Sequence, residues 1–479
     1  MPRRRSRPVV ALCASVALVL GGLGAAQAIG AGESAAQPFT SAVFRATHNS
    51  YSGDVDGAKG SLTYQLDHGV RFVELDVHDN GYAANHDYSI GHGSPGDQVD
   101  HAGNPASNLL ADWLNVVASW SAAHPGHAPL VVMLDLKDDL TDNHSDADGN
   151  LTALNRELRT AFGSTLLQAA NYPTGSTVDS LRGRVLTLLS GNQTTRLEYR
   201  RDLGAHPAVA INGNGQIVEV HDSGHGTLWY WSGTYGADGV VTWLRHGYYD
   251  TGTTPAVTLN DNGWLVEVHQ SQTATTLWYR VGHLGADGEI SWSASHQYDN
   301  GVLPTVRFTS PAANTVREIH RSQSNNQNWT WNGALDTGTR TVAWSGNATT
   351  SSPRYDKSTS VSGTRSVHTY AAADGPTPAD TLRYTTDRVT GGRIRYQQTA
   401  FDEYQQGDTA ELQQGALFYG APATAKDFIV SARSTGHLVR GWDFDSANLA
   451  TTPLANYPAT NTPYASWYQT LLTQAGADQ

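Results

Sequence analysis

Between residues 207 and 344 the chain carries three copies of one pattern, and this repeat constrains the fold more than any other feature. Pro207-Ala208-Val209, Pro255-Ala256-Val257 and Pro304-Thr305-Val306 recur 48 and 49 residues apart. Each is followed by an acidic–aliphatic–histidine triplet: Glu219-Val220-His221, Glu267-Val268-His269 and Glu318-Ile319-His320. Leu228-Trp229-Tyr230 matches Leu277-Trp278-Tyr279, Gly236-Ala237-Asp238-Gly239 matches Gly285-Ala286-Asp287-Gly288, and Trp243, Trp292 and Trp344 close the units. A turn-rich β repeat of this period suits propeller blades, each unable to bury its own faces until stacked on a neighbour. Three blades do not close a ring. A three-fold, trefoil-like closure or the pairing of two chains is therefore the alternative.

The flanking segments read differently. Short β-like runs at 42–46, 71–77, 88–91, 129–136 and 184–189 alternate with helical patterns. Leu109, Leu110, Trp113, Val116, Val117 and Trp120 make one apolar helical stripe, and Leu151, Leu154, Leu158 and Phe162 make another. After the repeats, strands are expected at 392–403, 416–419 and 437–444, with helices at 425–434 and 465–472. Five strands and three strands make eight. The expected fold class is α/β, a (β/α)8 TIM-like barrel formed by residues 38–203 and 362–479. An all-β repeat domain at 207–346 interrupts it, and the polar stretch 348–361 serves as the return linker.

Residues 1–28 read as a secretory signal, with Arg3, Arg4, Arg5 and Arg7 before an apolar run and Ala26-Gln27-Ala28 at the cleavage position. The expected location is secreted, extracellular. Formal charge is −13 for the whole chain, and removing those four arginines makes it −17. Such acidity argues against nucleic acid as a partner. A phosphate-handling enzyme is still open, because a bound divalent cation supplies local positive charge. The single cysteine, Cys13, lies inside the signal, so neither a disulfide nor thiol chemistry is expected after cleavage.

The chemistry concentrates at strand ends. Thr47-His48-Asn49-Ser50-Tyr51 ends the first run, and Glu74-Leu75-Asp76 lies near the end of the second. Side chains two apart on a strand share a face, so Glu74 and Asp76 point together. His92 follows the third run and Asp135 lies in the fourth. In a parallel barrel these ends meet at one mouth. Lys137 has the parity of Asp135 and is placed to meet a phosphate. Glu-x-Asp alone is more often a solvated pair, and a lone histidine more often structural. Four polar groups on successive strand ends outweigh those readings. The repeat histidines recur with the fold unit and are read as structural.

His48-Asn49, Glu74-Leu75-Asp76 and Met133-Leu134-Asp135 together resemble the catalytic region of calcium-dependent phosphoinositide-specific phospholipases C, especially secreted bacterial forms. The resemblance covers residues 40–190 well. It is thinner over 390–470, through Arg440-Gly441-Trp442 and Ala455-Asn456-Tyr457-Pro458. It implies Ca2+ held by Asn49, Glu74, Asp76 and Asp135, and His48 with a second histidine acting on the phosphoryl group. His92 is favoured for that role and His86, in Asn85-His86-Asp87, competes. The implied substrate is a phosphatidylinositol-type phospholipid at a membrane surface. A glycerophosphodiester phosphodiesterase, which would use His86-Asp87, is the second reading. A glycan- or surface-binding protein with an idle barrel is the third, and in either case the repeat domain could carry a glycan ligand.

Overall fold

The computed structural model describes residues 37–200, 202–373, 380–446 and 454–477. The expected signal at 1–28 lies outside the described residues. Eight strands, Arg45–Ala46, Val70–His78, Leu130–Leu136, Val185–Gly191, Phe401–Gln405, Phe418–Pro422, Leu438–Trp442 and Tyr457–Pro458, pair in parallel in that order. A parallel bridge between Thr47 and Thr460 closes the ring. The α/β barrel with an inserted β domain is therefore observed. Phe72, Val131, Leu186, Phe401, Phe418 and Tyr457 belong to one buried apolar cluster inside it. Helices Leu110–Ala123 and Leu151–Phe162 cover the outside with the apolar stripes read from the sequence. Among the described residues, no helix is long and apolar enough to cross a membrane.

The strand count is right, but its membership differs. The run at 88–91 is not a barrel strand: Ser89–Ile90 folds back antiparallel on the second strand, pairing Ile90 with Val77. Only ten residues, 79–88, separate the two. A parallel crossover needs a dozen or more, so a hairpin-like return is the geometry available. The eighth barrel strand is instead Tyr457–Pro458, a dipeptide too short to leave a periodic signal.

Among the described residues the inserted domain has four sheets, not the three expected, and no trefoil. The first three comprise strands within 205–251, 253–300 and 302–350. A fourth contains Thr359–Ser362, Arg365–Ala373, Asp380–Thr385 and Gly392–Arg393. Residues 359–393 therefore extend the insert, correcting the expected barrel restart at 362 and the linker at 348–361. The sequence hides this blade because Ser366-Val367-His368 replaces the acidic–aliphatic–histidine triplet. The first strands of all four sheets line one hollow of about 440 Å³. Lys357 braces it, donating from Nζ to the carbonyls of Pro255 at 2.7 Å and His206 at 3.2 Å.

Each junction between repeats uses the same packing. Asp202-Leu203-Gly204, Asp250-Thr251-Gly252 and Asp299-Asn300-Gly301 precede or separate the blades. A Cβ on Gly204, Gly252 or Gly301 would lie 2.4, 2.6 or 2.5 Å from Cδ2 of His221, His269 or His320. The glycine lets the backbone lie against the imidazole face. Gly301→Ala should destabilise the chain by about 1–3 kcal/mol through overpacking, read as a lowered midpoint in thermal unfolding. Gly126→Ala, where nothing lies within 4 Å of the added carbon, should change stability by about 0.5 kcal/mol or less.

Candidate active site at the barrel mouth

The second and third barrel strands pair Glu74 with Met133 and Asp76 with Asp135. Phe72, Glu74 and Asp76 share one face of their strand, so the apolar barrel filling gives way to carboxylates toward the C-terminal end. One oxygen from each of Glu74, Asp76 and Asp135 lies within 4.8 Å of the others. Glu74 and Asp76 are buried, and Asp135 is half-buried. The expected convergence of these three groups is therefore observed.

Two side-chain cations and one hydroxyl hold the cluster. Arg440, from the seventh strand, donates to Glu74 Oε1. Lys137 Nζ sits 2.8 Å from Asp76 Oδ2 and 2.6 Å from Asp135 Oδ2, so its parity-based placement toward the site holds. Tyr51 donates its hydroxyl proton to Asp76 Oδ2 at 3.0 Å. Burial, reinforced by Glu74 and Asp135 and opposed by Lys137, pushes the Asp76 carboxyl up to about 7. Glu74 Oε2 and Asp76 Oδ1 are buried without a hydrogen-bond partner. Buried carboxylate oxygens of this kind are costly unless something positive meets them. Hard oxygen donors in a cluster of net negative charge fit a divalent cation such as Ca2+.

The loop after the first strand is locked against this cluster. Ser50 Oγ accepts from the Glu74 backbone N–H at 2.8 Å, and Tyr51 reaches Asp76. Asn49, just before them, is buried and left-handed, with φ 46° and ψ 59°, a conformation asparagine tolerates better than most residues. His48 Nδ1 lies 3.6 Å from Asp443 Oδ1, beyond hydrogen-bond length. Lys59 Nζ supports the His48 carbonyl from below at 3.0 Å.

Three residues in or beside this cluster were given no site role from the sequence, although Arg440 belongs to the quoted Arg440-Gly441-Trp442. Glu403 lies at the middle of the fifth strand and accepts from Ser190 Oγ at 2.7 Å and Gln405 Nε2 at 3.0 Å. Arg440 is raised by Glu74, Glu403 and Asp135 against the effect of its own burial. Gly420 makes room, since a Cβ there would lie 2.4 Å from the Glu403 carboxyl carbon. The available signal was strand parity: Phe401 and Glu403 repeat the apolar–acidic step of Phe72 and Glu74.

The two other histidines stand apart from the acids. His92 does not end a barrel strand, correcting that expectation. It is exposed on the return loop, one residue after Gly91, whose N–H reaches the Asp76 carbonyl at 3.2 Å. His78 fixes this loop by donating from Nε2 to the Gly91 carbonyl at 2.9 Å. His86 caps the short helix Tyr82–Asn85 and is exposed, farther along the excursion. Asp87 faces Glu157 and accepts from the Ala111 N–H at 3.3 Å, so His86-Asp87 is not directed at the acid cluster.

No protein-family model matches the chain, and no curated protein matches it. Among solved structures, the chain is similar to a calcium-dependent phosphoinositol-specific phospholipase C from Pseudomonas sp. (23% identity, TM-score 0.30, 34% of this chain and 62% of that one). It is also similar to a Ca2+-dependent phosphatidylinositol-specific phospholipase C from Streptomyces antibioticus (20%, 0.27, 33% and 56%). An exo-β-1,3-galactanase from Phanerochaete chrysosporium matches at 13% identity and TM-score 0.24, over 41% of this chain and 50% of that one. The match thus spans less than two thirds of each of these chains.

The Asp87–Glu157 contact yields a pH test. Burial first, then Asp87, raises the Glu157 carboxyl to about 9, above its unfolded value of about 4.3. The stabilisation from the bound proton is complete below the lower value and is lost as pH rises through the upper one. Thermal midpoints should fall between pH 5 and 9, and Glu157→Gln should flatten that slope. Parallel slopes for the two proteins would contradict the shared proton.

Proposed function

We propose that the chain is a secreted, Ca2+-dependent phosphodiesterase that cleaves phosphatidylinositol-type lipids to diacylglycerol and a cyclic inositol phosphate. The observation that carries this reading is the pair of partnerless buried oxygens, Glu74 Oε2 and Asp76 Oδ1, beside Asp135 at one barrel mouth. Asn49, Glu74, Asp76 and Asp135 would hold the cation. When bound, it supplies charge for a phosphate oxygen and lowers the pKa of an inositol hydroxyl.

The chain's own residues divide the remaining work. His48, half-buried at the rim, donates a hydrogen bond to the phosphoryl group. Lys137, held between Asp76 and Asp135, carries the positive charge that meets the phosphate. Arg440 fixes the Glu74 carboxylate and limits its rotation. Glu74 or Asp135 takes the proton of the attacking inositol hydroxyl, and His92, beside Gly91 on the return loop, protonates the leaving glyceride oxygen. The glycerophosphodiester alternative is weakened, because Asp87 is engaged with Ala111 and Glu157.

Purified protein should release inositol phosphate from phosphatidylinositol vesicles with Ca2+ and lose that activity with a chelator; activity unchanged by chelation would refute the assignment. Calorimetry should register one Ca2+ per chain, and Glu74→Gln or Asp76→Asn should abolish it. His92→Ala should lower kcat by about 10²–10⁴-fold, with His86→Ala near wild type. The opposite ranking would exchange their roles.

A further inference from the structure

A second convergence of ligand-type side chains lies at the joint between barrel and first blade, far along the chain from the mouth residues. Asp202 follows the barrel helix Gln193–Arg200, His221 ends the Glu219-Val220-His221 triplet, and His246 lies on the last strand of the blade, Val241–Thr251. One donor atom from each lies within 4.8 Å of the others. We infer that Asp202 Oδ2, His221 Nε2 and His246 Nε2 bind a borderline transition-metal ion of the Zn2+ class, tying the inserted domain to the barrel.

Four observations support the site. Asp202 Oδ2 lies 3.3 Å from His221 Nε2 and 2.9 Å from His246 Nε2, near the spacing of about 3.3 Å between ligands around a tetrahedral zinc. The far nitrogen of each ring is held by a carboxylate: His221 Nδ1 by Glu219 Oε2 at 3.0 Å, and His246 Nδ1 by Glu198 Oε1 at 3.0 Å. With a metal bound, that arrangement keeps the proton on Nδ1 and leaves Nε2 as the ligand nitrogen, as in carboxylate–histidine–metal triads. His246 Nε2 is buried and makes no hydrogen bond of acceptable angle despite its nearness to Asp202. All three residues are more than nine-tenths buried, with exposures of 8%, 1% and 7%.

The other repeats supply an internal control. His269 and His320 keep their glutamates at 3.0 Å and face Asp250 and Asp299 at 3.8 and 3.5 Å. Neither has a second imidazole: the residue 49 positions after His246 is Ser295. In the second repeat Arg280 Nε meets Asp250 at 2.9 Å instead; in the third Trp331 Nε1 donates to Asp299 at 2.7 Å, as Trp231 Nε1 donates to Asp202 Oδ2 in the first. The Asp–His–Glu set therefore recurs at all three junctions, and His246 with Glu198 is an addition at the first. Two nitrogens and one oxygen favour zinc-type ions over Ca2+, which separates this site from the mouth.

The experiment uses the full mature chain, saturated with Zn2+ and then desalted, with metal content measured by plasma mass spectrometry and the site located by anomalous diffraction at the zinc edge. One ion per chain is expected, centred between the three named atoms, and chelation should lower the thermal midpoint. His246→Gln should lose the ion, whereas His269→Gln and Glu74→Gln should retain it, so the result is independent of the proposed lipase activity. If His246→Gln fails to fold, the wild-type anomalous map decides. No zinc peak at the joint, with both imidazoles protonated by NMR, would overturn the proposal, as would retention of the ion by His246→Gln.

Discussion

The barrel mouth is organised around repulsion. Glu74, Asp76 and Asp135 are forced together by strand parity and by parallel register, and burial removes the water that would screen them. Arg440, on Glu74, and Lys137, on Asp76 and Asp135, offset part of that charge. The rise of the Asp76 carboxyl and the two partnerless oxygens show that the offset is incomplete. A polar cluster of this kind is tolerable only on a rigid support, and the closed ring of parallel strands provides one.

The inserted domain solves a different problem with the same parts. Each blade is a small antiparallel sheet whose faces need neighbours, and at the first three Asp-x-Gly followed by Glu-x-His builds the junction from a glycine under a histidine ring. At the first junction the neighbour is the barrel itself. Trp231 stacks on His246 at 4.5 Å and meets Tyr396 at 4.7 Å, and Arg245 reaches Asp146 in the loop ahead of helix Leu151–Phe162. The insert therefore packs on the loop that follows the third barrel strand, where His144 also meets Trp229 and Tyr248.

Much of the site was legible because it depends on local rules. Glu74 with Asp76, and Asp135 with Lys137, follow from the period-two alternation of strands. Asn49 sits where a left-handed turn favours that residue. Arg440 and Glu403 were harder to read, since their importance comes from strands more than three hundred residues after the second strand. His92 was misplaced because a short apolar run looks the same whether it crosses in parallel or folds back, and only the ten-residue excursion separates the cases. The fourth blade was missed because one glutamate of its signature is Ser366.

The sequence alone determined the elements: which runs are strands, which faces are apolar, which segment repeats, and which acids share a side. These are properties of neighbours a few residues apart, fixed by backbone period and side-chain chemistry. Only the tertiary structure decided which eight strands form the ring, how many blades complete the insert, and which cations stand against which carboxylates. Those outcomes depend on closure and on pairings between distant segments, where loop length and packing choose among elements that look alike locally.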